Sequence, residues 1–221
     1  MKEICIKPLV AKIGIIILTM FFFYPPAMAK DWNELDTMAE PELTKQITEF
    51  QRGLDRNPAD YETIKGLGIA YHIKSREDAK KFASKAVDML TRAFEISKKD
   101  YVTLCYLGSA TTMMAKTTRN PMKKSSYANK GIAMMDKAVK KDPDNVSVRL
   151  TRAFNSKTLP SFLERAQVAL EDFEHLAGLI HKNPGISNST KKIVYTNLAE
   201  LYHKAGDDEK ADRYKKMAEG L

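Results

Sequence analysis

The sequence predicts an all-α protein, a superhelical stack of antiparallel helix pairs with about four repeats and an opening cap helix. Apolar residues recur at three- and four-residue spacing through almost the whole chain after residue 30, which is the period of an amphipathic helix. No stretch alternates apolar and polar residues over the length of a strand. Gly and Pro fall between the helical runs, where they predict turns, as at Asn57-Pro58, Asp142-Pro143 and Asn183-Pro184-Gly185.

The first 29 residues have the three parts of a secretory signal peptide. Lys2, Lys7 and Lys12 give a basic start, and residues 13–24 form an uncharged apolar run. That run has 12 residues, whereas a membrane span needs about 20, so an uncleaved anchor is the weaker alternative. Ala27-Met28-Ala29 is a small-x-small cleavage site. We therefore predict cleavage after Ala29 and a periplasmic or secreted location.

The predicted mature chain has 192 residues (221 − 29), which suits one domain with a real core. We divide it into an N-terminal part that contains a cap helix, residues 30–58, and a repeat domain, residues 59–221. Removal of three Lys and one Glu with the signal lowers the net charge from +8 to +6. The excess is modest and spread out, so no nucleic-acid partner is expected. Cys105 is the only cysteine after the signal, which excludes an internal disulfide.

The repeat is clearest in the last 30 residues, where large residues alternate with small ones at fixed spacing. The pattern there is Tyr195-x2-Leu198-Ala199-x2-Tyr202, then Gly206 and Asp207, then Ala211 and Ala218. Gly206 predicts the end of one helix and Asp207 the N-cap of the next. Two helices joined by so short a turn can approach closely only if small residues line their contact. The pattern therefore predicts a tightly packed helical hairpin.

These residues resemble the tetratricopeptide repeat (TPR) family, whose pattern is large-x2-Leu-Gly/Ala-x2-Tyr, a turn, then Ala-x3-Phe-x2-Ala and Pro. Upstream copies are Ile64-x2-Leu67-Gly68-x2-Tyr71 with Ala86-x3-Leu90-x2-Ala93, Leu104-x2-Leu107-Gly108 with Gly131-x3-Met135-x2-Ala138, and a weaker Arg149-x2-Arg152-Ala153 with Ala169-x3-Phe173. Residues 40–54 are predicted as the cap helix. The resemblance covers nearly all of residues 41–221. The alternative is an ordinary helical bundle with coincidental spacing.

The departures from the pattern carry their own expectations. Arg149 and Arg152 stand where the third repeat should have apolar residues, which leaves its register open. Lys215 replaces a large apolar residue of the last helix, and we expect it to face water, since a terminal repeat needs a polar outer face. Three turns are expected to be enlarged, at residues 74–78, 116–126 and 158–161.

The resemblance implies that the first helices of successive pairs line a concave groove, which in this family usually holds a partner peptide or helix. Projecting the pattern gives a mixed polar and apolar set, as a peptide-binding surface would be. The predicted groove residues are Lys65, Ile69, His72, Cys105, Tyr106, Ser109, Thr112, Phe154, Thr196, Asn197 and Glu200. The alternative is that they are merely solvated helix positions. A clamp for a terminal carboxylate is not supported, because Ile69 and Tyr106 replace the expected Asn residues.

The predicted function is therefore that of a non-enzymatic protein-interaction scaffold of the bacterial cell envelope, without catalytic residues, metal or cofactor. No Gly-rich phosphate loop, Gly-x-Ser-x-Gly or His-Glu-x-x-His is present. An enzyme using the groove would need ionisable residues with perturbed pKa values in one pocket. The carboxylates of Glu171-Asp172 are expected to be solvated on a helix.

Two further interpretations stay open. Cys105 with Met113, Met114, Met122, Met134 and Met135 would make a soft ligand set for Cu(I), although Met also fills helical cores. The competing function is thus a soft-metal or small-ligand carrier. The basic segment 116–126 is expected to be a loop that either contacts anionic lipid or is simply solvated.

Overall fold

A computed structural model describes residues 32–221, so the predicted signal peptide lies outside the described residues. These described residues all belong to one compact unit. Within the described residues the regular structure is entirely helical. The α-helices are α1 (Glu34–Thr37), α2 (Glu40–Arg56), α3 (Tyr61–Ser75), α4 (Ala79–Ile96), α5 (Tyr101–Met113), α6 (Pro121–Lys141), α7 (Val146–Thr158), α8 (Ala166–Lys182), α9 (Asn188–Lys204) and α10 (Asp208–Glu219).

The helices from α3 onward pack as four successive pairs, α3 with α4, α5 with α6, α7 with α8 and α9 with α10. The helix α2 packs on α3 as the predicted cap. The first helices α3, α5 and α7 also contact one another in order, so they form one side of the stack. The predicted all-α solenoid is confirmed. None of the helices in residues 32–221 combines the length and apolar character that crossing a membrane requires.

Most helices begin where an Asp, Asn or Ser side chain accepts a hydrogen bond from a backbone N–H of the first turn. Asp60 accepts from the Thr63 amide at 2.8 Å, and the predicted cap Asp207 accepts from the Lys210 amide at 3.1 Å. The predicted helix end at Gly206 is also present, with a positive φ of 80° that favours glycine. Local capping chemistry thus sets the hairpin boundaries.

Small residues let the paired helices touch through their backbones. A Cβ atom on Gly108 would lie 2.6 Å from the Gly131 carbonyl oxygen, and one on Gly131 would clash with the Gly108 carbonyl oxygen. A Cβ on Gly68 would meet the Leu90 side chain at 2.8 Å. The Leu-Gly pairs of the repeat pattern therefore stand at the crossing points of α3 with α4 and of α5 with α6.

Two of the three predicted turns differ from expectation. Only residues 118–120 of the segment 116–126 are non-helical, because α6 begins at Pro121 and a 3-10 helix covers Met114–Thr117. Asn120 caps α6 and Pro121 fits its first turn, so the Asn-Pro pair starts a helix here. The turn predicted at 158–161 instead extends to Arg165 and contains the short 3-10 helix Ser161–Leu163.

The arginines that break the repeat pattern belong to a buried ion cluster. Arg152 donates to both Asp172 oxygens at 2.8 Å, and Arg149 donates to Asp172 at 2.7 Å. Arg152 and Arg165 also pair with Asp136 of α6, at 2.9 and 2.6 Å. Asp172 is completely buried, so the expectation that its carboxylate is solvated is wrong. The cluster adds charged contacts to the apolar packing between α7 and α8, and through Asp136 it joins the second pair to the third.

The other departure, Lys215, is exposed as predicted. Its neighbour Tyr214 turns inward instead and stacks on Tyr202 with ring centroids 5.8 Å apart and on Tyr195 at 6.1 Å. Tyr214 thus makes the inward contact that the repeat pattern assigns to a large apolar residue at position 215.

Candidate functional site: the concave groove

A short stretch of the chain itself lies on the side formed by α3, α5 and α7. We call residues 32–38, which include α1, the N-terminal segment. Trp32 and Leu35 are 6% and 1% exposed and belong to the same core cluster as Ile69 of α3 and Tyr106 of α5. The segment therefore covers residues that the sequence placed in the groove.

Polar contacts hold the N-terminal segment on three successive first-helix regions. The Asp36 carboxylate accepts a hydrogen bond from the Tyr106 hydroxyl at 3.1 Å and pairs with Arg76, at the end of α3, at 2.7 Å. The Asn33 side chain donates to Ser147 of α7 at 2.8 Å. Since apolar and polar groups both match, the segment sits in the groove as a ligand would.

The predicted groove cation Lys65 is used internally. Its ammonium group pairs with Asp100 at 2.6 Å and lies 5.2 Å from the centre of the Trp32 ring. Burial raises the pKa of Asp100, but its hydrogen bonds with Lys65 and with the Tyr61 hydroxyl outweigh burial and lower that pKa overall. Asp100 therefore stays ionised and holds Lys65 beneath the aromatic ring.

A neutral polar cluster lies deeper in the groove. Ser109 is 3.0 Å from the Nε2 atom of His72, and the Asn155 amide donates to Ser109 at 3.0 Å and to Thr112 at 2.7 Å. Burial, with help from the charge of Arg76, lowers the pKa of His72 to about 3, so the ring is neutral at neutral pH. The cluster ties α3, α5 and α7 together without adding charge to the groove.

Beside the N-terminal segment the groove opens into a cavity of about 320 Å³. That volume is at the lower end of the range found for ligand pockets. The cavity combines apolar side chains with polar groups from three helix pairs and from the segment. Its lining residues are Asn33, Asp36, Thr37, His72, Arg76, Ser109, Met113, Lys116, Leu150, Thr151, Phe154, Asn155, Thr158 and Ile193.

The structure separates the predicted groove residues into a buried and an exposed set. Buried are Lys65, Ile69, His72, Cys105, Tyr106, Ser109, Thr112 and Asn197, whereas Phe154, Thr196 and Glu200 are exposed. His72, Ser109 and Phe154 meet at the cavity, and Asn197 and Glu200 share Lys157 as a partner. Contact with a partner stays a prediction for all eleven, and the buried ones become accessible only if a covering element moves.

The cysteine and methionines of the second helix pair do not all lie together. Cys105 is buried and its thiol donates to the Val148 carbonyl at 3.3 Å, and burial raises the pKa of that thiol far above its usual value. Met135 packs in the same core cluster, whereas Met122 is 83% exposed. Among residues 32–221 no three His, Cys, Asp or Glu side chains converge as metal ligands. A Cu(I) site would need the thiolate that this environment disfavours.

The N-terminal segment is a part of the site that the sequence did not predict. The repeat pattern begins after it, so projection of that pattern assigns it no role. The available signal is Trp32-x2-Leu35, two large apolar residues three apart just after the predicted cleavage site. Such a pair in an otherwise polar stretch predicts one helical turn that needs an apolar surface.

Comparison with known proteins supports the architecture. No protein-family model matches the sequence, and no curated protein matches it. A thermophilic TPR protein of Thermus thermophilus is 16% identical in sequence, with a TM-score of 0.59 over 78% of this chain and 79% of that one. The likeness shows a TPR-like fold.

A second group of solved structures is less similar. The human IFIT1 dimer with PPP-AAAA is 15% identical, with a TM-score of 0.39. The match covers 83% of this chain and 47% of that one, so the chain spans about half the length of IFIT1.

Proposed function

We propose that the protein is a non-enzymatic interaction scaffold of the bacterial cell envelope, whose concave groove binds a peptide or helix of a partner protein. The observation that carries the proposal is the cavity shared by α3, α5 and α7, with the exposed ring of Phe154 on its wall. The envelope location rests on the signal-peptide pattern of the first 29 residues.

The cavity has what a peptide site requires. Phe154 packs edge-on against Phe173, with ring centroids 5.6 Å apart, so its position is fixed before a partner arrives. Leu150, Met113 and Ile193 extend the apolar wall. A preformed wall lowers the ordering cost of binding, and an aromatic anchor is the residue type that dominates many interfaces.

The edge of the cavity favours an acidic partner. Lys116 is exposed and forms no ion pair with any described residue, and Arg76 keeps 46% of its side chain exposed beside Asp36. A carboxylate placed here would gain charge-assisted hydrogen bonds. The proposed ligand is therefore a segment with an apolar side chain for the cavity and an acidic residue next to it.

Photo-crosslinking tests this function directly. A photoreactive residue at position 154 should capture a discrete set of partners in growing cells. The matched control is position 96, where Ile96 is 54% exposed on the second helix α4. Equal adducts at both positions, or none at 154, would contradict a groove function.

N-terminal sequencing of the purified protein checks the envelope assignment, which predicts Lys30 as the first residue.

A second candidate contact is with an anionic membrane through the basic segment 116–126. All of residues 121–126 are exposed, and Met122 stands beside Lys123 and Lys124 in the first turn of α6. An exposed apolar side chain next to basic ones suits the surface of an anionic bilayer. Sedimentation with phosphatidylglycerol vesicles should be lost in Lys123→Glu/Lys124→Glu, and unchanged sedimentation excludes this contact.

A further inference from the structure

We infer that the groove across α3 and α5 is a binding site for one helical turn carrying an aromatic residue, a leucine three positions later and an acidic residue after that, and that the N-terminal segment occupies this site in competition with a partner of that pattern. The inference rests on the proposed function and names the chemistry of its ligand. The pattern is that of the chain's own Trp32-Asn33-Glu34-Leu35-Asp36.

The apolar part of recognition comes from two side chains on one face of a single turn. Trp32 and Leu35 are three residues apart, which brings them to the same side of a helix. Both are buried against the cluster that contains Ile69 and Tyr106, and the Lys65 ammonium group lies over the Trp32 ring. An aliphatic residue in place of Trp32 would lose this cation–π contact.

The acidic part of recognition comes from Asp36. Its two carboxylate oxygens have different partners, the Arg76 guanidinium on one and the Tyr106 hydroxyl on the other. These partners come from α5 and from the residue that follows α3, so only a carboxylate next to the leucine satisfies both. A basic residue at this position would face Arg76 and be repelled.

The N-terminal segment is built to be exchanged. The helix α1 has only four residues, too few to be stable without a surface to pack on. Its burial gain comes mainly from two side chains and is opposed by the ordering of the whole segment. The helix ends at Thr37, and an extended residue, Met38, leads to α2. The segment can therefore leave while the helix pairs stay in place.

The position of the segment makes it a competitor. Asn33, Asp36 and Thr37 line the same cavity as Phe154. A partner peptide that fills the cavity and continues toward α3 meets the segment before it reaches Tyr106. Displacement of the segment would open the buried part of the predicted groove, including Ile69 and Tyr106.

Trp32 is the only tryptophan of the chain, which gives a direct measurement. The probe is a synthetic peptide with the sequence of residues 32–40, titrated into the protein and into the variant Trp32→Ala/Leu35→Ala. The variant contains no tryptophan, so a blue shift of emission reports the bound peptide alone. With a dye-labelled peptide, we expect at least tenfold tighter binding to the variant than to the unaltered protein. A control peptide carrying the change Asp36→Lys should not bind.

A second variant keeps the experiment decisive if the first one misfolds, as circular dichroism would show. Asp36→Lys leaves both apolar side chains in place, and we expect iodide to quench Trp32 emission more strongly than in the unaltered protein. The unaltered peptide should also bind this variant.

Three results would overturn the inference. They are absence of peptide binding to every folded variant, equal binding to the variants and the unaltered protein, and equal binding of the control peptide. Crosslinking at position 154 does not depend on this peptide. Partner capture without peptide binding would thus reject the recognition pattern alone, whereas peptide binding without partner capture would reject the partner.

Discussion

Two contacts between neighbouring helices in this protein solve the same packing problem in opposite ways. The helices α5 and α6 meet through Gly108 and Gly131, where the absence of side chains lets the backbones touch. Around α7, Arg149 and Arg152 instead surround the buried carboxylate of Asp172 in α8. The first contact has no side chains between the two backbones, and the second places paired charges beside its apolar packing.

The two contacts differ in the kind of substitution that destabilises them. A glycine contact fails only when atoms are added, since nothing in it needs a partner. A buried ion cluster fails when any member is removed, because the remaining charges stay buried without compensation. The paired hydrogen bonds from Arg152 to Asp172 also fix the position of α7 against α8, since the guanidinium fork fits a carboxylate in few orientations.

The largest effect is expected from Asp172→Ala. The change leaves Arg149 and Arg152 without their shared carboxylate, so we expect the free energy of unfolding to fall by about 3–5 kcal/mol in urea denaturation. The control is Asp144→Ala, whose carboxylate is 72% exposed and pairs with His175. That variant should change stability by less than about 1 kcal/mol. Similar losses in both variants would mean that the buried cluster is no more important than a surface pair.

A smaller loss is expected from Gly108→Ala. The added methyl group would lie 2.6 Å from the Gly131 carbonyl oxygen, and backbone cannot move aside as a side chain can. We expect a loss of about 3 kcal/mol, at the upper end for overpacking. The matched control is Gly178→Ala in α8, which has no atom within 4 Å of the new group. Helix propensity predicts a gain of about 1 kcal/mol there. A gain in both variants would show that α5 and α6 separate easily.

These two contacts also show what the sequence can and cannot predict. The Leu-Gly pairs predicted the hairpins correctly, because backbone approach leaves a requirement at one fixed position. The ion cluster was missed, because the repeat pattern gives no signal for charges that meet from α6, α7 and α8. Phe154, one of the predicted groove residues, lines the cavity, but the segment that covers the buried groove residues was not predicted. Trp32 and Leu35 lie before the first repeat, and only the folded chain brings them to Tyr106.

The buried neutral cluster around His72 should make the stability of the protein depend on pH. His72 keeps a pKa of about 3 when folded, against 6.5 for an ordinary histidine, so below pH 6.5 the unfolded chain binds a proton that the folded one does not. Stability is therefore lost as pH falls from 6.5 toward 3, by about 2 kcal/mol at pH 5 from this residue. Urea denaturation at pH 7 and pH 5 should show this loss, and His72→Gln should reduce it.

The control for that measurement is His203→Gln, because the His203 side chain is 77% exposed. It should leave the pH dependence nearly as in the unaltered protein. If His72→Gln keeps the full loss between pH 7 and pH 5, other groups are responsible and the buried ring does not resist protonation.

The smallest change in stability is expected from Lys215→Leu, and it contrasts with the change expected at Arg152, the other kind of departure from the repeat pattern. The variant Lys215→Leu restores the apolar residue of the repeat pattern. Position 215 is exposed, however, and Tyr214 already packs on Tyr202 and Tyr195. We expect the free energy of unfolding to change by less than about 0.5 kcal/mol, as for most surface substitutions. Arg152→Leu also restores the pattern, yet it leaves Asp172 with a single partner and should cost several times more. Equal effects of the two changes would show that the pattern alone, and not the burial of the charge, decides what a departure costs.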